Sequence, residues 1–148
     1  MFKPEAAAEA GCGGIAIVGG GCSGVLVAVQ LLKNGYRGRV TIIEPRSKLG
    51  RGLAYSTPFD EHLLNVPAGK MSALPQAPDH FLRWLQANGW PEATPSSFAP
   101  RKVYGEYLDS LLQAEIRGGA GRNLRQFRAE AVDVGVDGGG VRLTLSDH

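Results

Sequence analysis

The residues best suited to chemistry lie close to the start of the chain, in Gly19-x-Gly21-x-x-Gly24. The run Ile15-Ala16-Ile17-Val18 precedes them and a helical pattern follows. A short β-branched run entering a glycine turn that opens a helix is the arrangement that holds a dinucleotide pyrophosphate. Gly19 permits the tight turn, Gly21 lets backbone approach the pyrophosphate, and Gly24 lets the helix pack closely on the sheet. The N-terminus of the helix that follows offers unpaired N–H groups and a partial positive charge to the phosphates, and Cys22 and Ser23, inside the turn, are candidate cofactor contacts. Glu44 stands twenty residues beyond Gly24, after Val40-Thr41-Ile42-Ile43. There a carboxylate can accept hydrogen bonds from an adenosine ribose. Its charge disfavours a 2′-phosphate and so argues against NADP at this site. Pro45 and Arg46 follow; Arg46 suits a phosphate contact or a plain loop cation. The bland alternative is a glycine-rich turn of some other α/β protein, with Glu44 a solvated strand end. It requires strand, glycines, helix and acid to coincide.

The elements that must position these residues are legible from periodicity. Residues 15–18 and 40–43 read as strands buried on both faces, as in a parallel sheet. Between them Val25, Ala28, Val29 and Leu32 fall at helical spacing over 25–34, with Gly35 as the stop. Strand, glycine turn, helix and strand make a βαβ unit. Residues 46–77 lack a sustained period, yet Leu63-Leu64-Asn65-Val66-Pro67 is too apolar to be disordered and is expected to pack against something. A short helix is expected over 78–88, an irregular stretch over 91–100 and a helix over 102–116. Strands follow at 127–136 and 141–145, joined as a hairpin.

The totals bound the function. A chain of 148 residues has room for one domain, and 43% hydrophobic with 20% charged residues is ordinary for a globular protein. A net charge of +2 is too mild to argue for nucleic acid or a membrane surface, and no apolar run approaches a membrane span. Residues 1–13 read as a flexible leader, not a signal peptide. Cys12 and Cys22 have neither CxxC spacing nor metal-ligand company, so a reduced cytoplasmic chain without a metal is expected. His62 and His80 lack an Asp or Cys partner in the sequence and suit surface or structural roles. For Cys22, packing inside the turn is favoured over a thiol activated by the helix N-terminus.

Beyond the motif itself, the chain resembles the two-dinucleotide flavoprotein superfamily that includes glutathione-reductase-like enzymes. Gly24-x-x-x-Ala28-x-x-Leu31-x-x-x-Gly35 matches its N-terminal FAD fingerprint. Gly50 and Gly52, in Leu49-Gly50-Arg51-Gly52, resemble its second glycine doublet, with Arg51 inserted. A narrower resemblance runs through Gly50-Arg51-Gly52-Leu53-Ala54-Tyr55, Leu63-Leu64-Asn65-Val66-Pro67, Met71-Ser72, His80-Phe81-Leu82-Arg83-Trp84-Leu85 and Pro100-Arg101-Lys102-Val103-Tyr104-Gly105-Glu106-Tyr107-Leu108. These segments are similar to bacterial FAD/NAD(P)-binding proteins of the hydroxylase-like kind, akin to flavin-dependent N-hydroxylating monooxygenases. The resemblance implies that Asn65, Val66 and Met71 lie near the flavin and that the Arg101/Tyr104 segment approaches the cofactor. It further implies that the Ala131-Val132 strand offers backbone groups to the adenine. Each has a plainer reading: Arg101 as a helix-start cation, Tyr104 and Tyr107 as packing residues, Met71 and Trp84 as core.

The resulting expectation is a Rossmann-like α/β fold with a parallel sheet, an N-terminal βαβ unit and a C-terminal β-hairpin. The domain spans 14–148 with an irregular and helical insertion at 46–100. The superfamily fold also uses an Ala-Thr-Gly-like turn and a second glycine fingerprint for NAD(P)H. Neither is in this sequence, so the resemblance covers the front part of a longer enzyme. The expected function is the FAD-binding segment of an NAD(P)H-dependent flavin oxidoreductase or monooxygenase, with no catalytic residue assigned. The alternatives are a non-catalytic nucleotide-binding module acting with a partner chain that supplies the missing part, and an NAD-binding dehydrogenase domain.

Overall fold

The computed structural model describes residues 14–146. The 1–13 segment read as a leader, Cys12 included, lies outside the described residues. From Ile15 the chain forms β1 (Ile15–Val18), α1 (Cys22–Lys33) and β2 (Val40–Ile43), with β1 and β2 parallel and Val18 opposite Ile43. α1 begins at Cys22, earlier than periodicity alone suggests, because Gly21 takes an extended conformation (φ −74°, ψ −163°) that launches the helix inside the glycine motif. Its buried residues Val25, Ala28, Val29 and Leu32 join Ile17, Val40 and Ile42 of the two strands in one core.

A third parallel strand, β3 (Leu124–Phe127), pairs with β2, giving the sheet order β1-β2-β3. The single strand expected over 127–136 is therefore divided. Its first residue closes β3, residues 128–130 break the run, and β4 (Ala131–Asp137) starts a separate antiparallel hairpin with β5 (Gly140–Leu145). β3 escapes a pattern search because Arg125 and Gln126 sit within it and its ladder to β2 is non-local. β2 is central and nearly all buried, as expected, but β1 is an edge strand among the described residues. Ala16 and Val18 are exposed, so burial on both faces does not hold for β1.

Residues 46–100 contain a 3-10 turn at Ala68–Lys70 and one helix, α2 (His80–Ala87). The apolar 63–67 segment is ordered against 95–100. Leu64 donates to the Ala99 carbonyl at 2.9 Å, Ala68 to Ser97 at 2.8 Å and Gly69 to Pro95 at 2.9 Å. The helix α3 (Arg101–Arg117) then packs alongside α1. Phe81 and Leu85 from α2 meet Tyr104 and Tyr107 from α3 in the same core. No helix among the described residues is long and apolar enough to cross a membrane.

Candidate functional site

β1 delivers the chain into the glycine turn, and the turn is shaped by contacts only glycine allows. Gly19 sits at φ +95°, a conformation side chains disfavour. A β-carbon on Gly24 would overlap the Gly19 carbonyl oxygen and press on Ile17, so the first turn of α1 lies directly on the strand end. No side chain caps α1 and no acidic residue occupies its first turn. The first-turn amides, which no intrahelical carbonyl can reach, are thus left without a side-chain partner at the positive end of the helix dipole, an arrangement that favours an anion. Cys22 and Ser23 stand in that first turn, Ser23 exposed and Cys22 half-buried.

Glu44 lies at the C-terminal end of β2 and is only 5% exposed. Its Oε2 accepts the Gly20 amide at 2.9 Å, and its Oε1 accepts the Arg46 amide at 3.1 Å with the Arg46 guanidinium at 3.4 Å. The carboxylate therefore joins the strand end to the glycine turn. Glu44 also donates its own amide to the Phe127 carbonyl of β3 at 3.0 Å. Pro45 continues the loop, half-buried.

The second glycine pair closes over the first. Gly50 donates to the Gly20 carbonyl at 2.8 Å, and Gly52 approaches Gly21 so closely that a β-carbon on it would stand 3.1 Å from the Gly21 Cα. Both glycines have positive φ, +84° and +49°. Arg51, inserted between them, lies along α3 and reaches Glu106 at 3.4 Å, so the insertion leaves the glycine contacts intact. The loop is held from behind by α3: a β-carbon on Gly105 would meet Arg51 at 3.0 Å and Tyr55 at 3.1 Å.

The remaining site candidates are placed less tightly. Asn65 is exposed and its side chain has no hydrogen-bond partner among the described residues; Val66 and Met71 are half-buried on the segment zipped to 95–100. Arg101 opens α3, donating its amide to the His62 carbonyl at 2.8 Å and Nε–H to the Leu63 carbonyl at 3.1 Å. Tyr104 is buried, its ring 5.0 Å from both Tyr55 and Phe81. Burial, and next the nearby Cys22, push its phenol well above the ordinary range, so it stays protonated. Val132 is 60% exposed at a bulge of the hairpin, where the register shifts between Ala131 and Asp133. A bulged residue is left without a ladder partner, which frees its backbone groups.

Burial also pushes the Cys22 thiol up, which favours packing over activation by the helix N-terminus. The two histidines have partners that spacing did not show. His62 Nδ1 lies 2.6 Å from the Thr57 hydroxyl, and His80 Nδ1 lies 2.9 Å from the buried Tyr107 hydroxyl. Sequence reasoning also missed Gly20, Leu49 and Gly105. Gly20 carries the amide that Glu44 accepts, and a β-carbon there would run into the Leu49 side chain. A glycine inside the otherwise well-formed α3 was the available signal for Gly105, since it weakens a helix unless close packing needs it.

Several solved structures share this fold. The S-allyl-L-cysteine S-oxygenase of Allium sativum superposes with a TM-score of 0.62 at 18% identity, over 89% of this chain and 31% of that one. OTEMO, in complex with FAD and NADP, gives 0.57 at 15% identity, over 90% and 22%. The p-nitrophenol 4-monooxygenase PnpA of Pseudomonas putida DLL-E4 gives 0.50 at 17%, over 88% and 35%. The chain thus spans about a third or less of the length of these structures. No curated protein is a significant match. A family model described as FAD-NAD(P)-binding matches residues 16–148, from within β1 to the last residue, and the chain therefore belongs to that FAD-NAD(P)-binding family.

Proposed function

We propose that the chain binds FAD and forms the FAD-binding segment of an NAD(P)H-dependent flavin oxidoreductase of the monooxygenase kind. The observation that carries this reading is the closure of one glycine segment on another at the N-terminus of α1, with the Glu44 carboxylate at its edge. The glycine turn brings bare backbone to the N-terminus of α1, with Gly52 packed directly against Gly21, and such a turn suits a pyrophosphate approached by backbone. In this reading Gly19, Gly21, Cys22, Ser23 and Gly24 receive the phosphates, Arg46 reaches them from the β2 loop, and Glu44 exchanges part of its bonding for the adenosine ribose. Gly50 and Gly52 wall the site, and the Val132 backbone meets the adenine. Asn65, Val66 and Met71 lie toward the flavin end, with Arg101 and Tyr104 behind them.

When bound, FAD supplies two-electron redox chemistry. The residues of this chain hold and orient it; Tyr104, kept protonated by burial, acts by packing. Support for FAD over NAD comes from the second glycine pair and from the ordered 63–72 segment. The names of the similar structures, an S-oxygenase, a p-nitrophenol monooxygenase and an FAD- and NADP-bound OTEMO, point the same way. Further polypeptide, in the same or a partner chain, supplies the NAD(P)H site and covers the exposed face where Val18 and Phe127 lie 59% and 47% exposed. The domain comprises 14–148 with 46–100 as its insertion and works in the cytoplasm, where Cys22 stays reduced.

The test is an absorption spectrum of the purified chain before and after incubation with FAD. Bands near ~370 and ~450 nm that survive desalting are expected of a held flavin. Complete loss of flavin on desalting, with NAD retained, overturns the FAD assignment.

A further inference from the structure

The geometry points to a second binding site, at the opposite end of the sheet from the glycine turn, that takes a phosphate-bearing small molecule. A cleft of about 440 Å³ is lined by Leu32, Tyr36, Arg37, Gly119, Arg122 and Asn123. Arg37 precedes β2, and Arg122 and Asn123 precede β3. These strands are parallel, so the cleft sits at their N-terminal ends, whereas Gly19 and Glu44 follow the C-terminal ends of β1 and β2. The two loops are tied together by the Asn123 side-chain amide, which donates to the Arg37 carbonyl at 2.6 Å.

Charge makes this cleft unusual. Residues 19–43 and 116–129 contain no Asp or Glu, yet they carry Lys33, Arg37, Arg39, Arg117, Arg122, Arg125 and Arg128. Neither Arg37 nor Arg122 forms an ion pair among the described residues. Two arginines lining one concavity, with no carboxylate among its lining residues, give an oxyanion a cationic seat. Their planar donor forks match phosphate oxygens in pairs. The cleft lies within the size range of small-molecule sites, and the Leu32 and Tyr36 walls suit an apolar or aromatic body attached to the phosphate.

The probes are inorganic phosphate and phenyl phosphate, titrated into the chain at constant ionic strength and followed by amide NMR shifts. Expected are saturable shifts at Gly35, Gly119 and Asn123 that persist when FAD is present. Affinity should fall about tenfold in the Arg37→Gln/Arg122→Gln variant and hold in Arg125→Gln/Arg128→Gln, which removes two charges outside the cleft. Tighter binding of phenyl phosphate marks a phosphate ester as the ligand; equal binding marks free phosphate. Absence of saturation, equal losses in both variants, or shifts confined to Ser23 and Gly24 overturn the proposal. Because the shifts at Gly119 and Asn123 do not depend on flavin, a chain that never retains FAD leaves this test intact.

Discussion

Gly21 and Gly52 meet backbone to backbone: a β-carbon on Gly21 would stand 3.4 Å from the Gly52 Cα, and one on Gly52 would stand 3.1 Å from the Gly21 Cα. Two segments far apart in sequence thus form one wall, pinned by the hydrogen bond from Gly50 to Gly20. Neither glycine is explained by its own turn alone. The approach between them fixes the second glycine loop against the turn that opens α1.

Gly52→Ala tests that wall. Its φ of +49° lies in the left-handed region, so alanine costs about 1 kcal/mol in backbone strain before the contact with Gly21 is counted. Gly35→Ala serves as the control, because Gly35 also has positive φ (+73°) but open space around its β-carbon position. Both variants should lower the urea midpoint, while only Gly52→Ala weakens FAD binding, by about tenfold, a change of about 1.4 kcal/mol. Equal FAD affinity in the two variants would remove the wall from the binding site.

Glu44 is expected to matter before any ligand arrives. Replacing it with alanine leaves the Gly20 amide without its acceptor in a buried setting, a loss of about 1–3 kcal/mol. Glu44→Gln keeps an amide oxygen for Gly20 and should recover much of that stability. It still lacks the charge that favours a ribose hydroxyl donor and holds Arg46. Urea unfolding of the ligand-free chain separates the two variants; FAD titration should find both weakened. If alanine and glutamine unfold alike, the link from Glu44 to the glycine turn carries no stability.

How far the sequence discloses this arrangement depends on whether a feature is local. β1, the turn, α1 and β2 rest on short-range periodicity and turn chemistry, and Glu44 follows from its distance along the chain. Gly20 as the partner of Glu44 does not, because that bond joins the turn to a strand end across the βαβ unit. β3 is hidden for a similar reason: Leu124-Arg125-Gln126-Phe127 has little strand pattern of its own and exists through pairing with β2. The 63–67 segment is an intermediate case. Its apolar content required a packing partner, yet nothing local named residues 95–100 as that partner.

The His80–Tyr107 pair gives the fold a pH dependence of defined sign. Tyr107 is fully buried; its hydroxyl accepts the Ala73 amide at 3.3 Å and lies 2.9 Å from His80 Nδ1. A neutral imidazole can accept the phenol hydrogen at Nδ1, which an imidazolium cannot. Burial first, then Arg83 on the same helix and Lys33 from α1, lower the His80 pKa from its ordinary 6.5, against an opposing pull from Asp79. The unfolded chain therefore binds this proton at higher pH than the folded one, so unfolding takes up a proton in that interval. This contribution is complete above pH 6.5 and declines as pH falls toward the folded value. Urea midpoints measured between about pH 7.5 and about pH 5 should fall more steeply for the native chain than for His80→Asn. Parallel curves would mean that His80 titrates alike in both states.

Gly105 sets local propensity against tertiary contact in one substitution. In an isolated helix Gly→Ala is favourable by about 1 kcal/mol, and Gly105 lies within the seventeen residues of α3. In the folded chain the added β-carbon would stand 3.0 Å from the Arg51 side chain, 3.1 Å from Tyr55 Cβ and 3.2 Å from the Tyr55 carbonyl. Arg51 is long enough to yield, but the Tyr55 backbone belongs to the loop that carries Gly50 and Gly52. Overpacking of this kind costs about 1–3 kcal/mol, enough to reverse the helical gain. Gly105→Ala should therefore show a lower urea midpoint, and its FAD affinity should fall because the displaced loop shifts Gly52 against Gly21. A variant more stable than the native chain with undiminished FAD binding would show that α3 does not hold the loop in place.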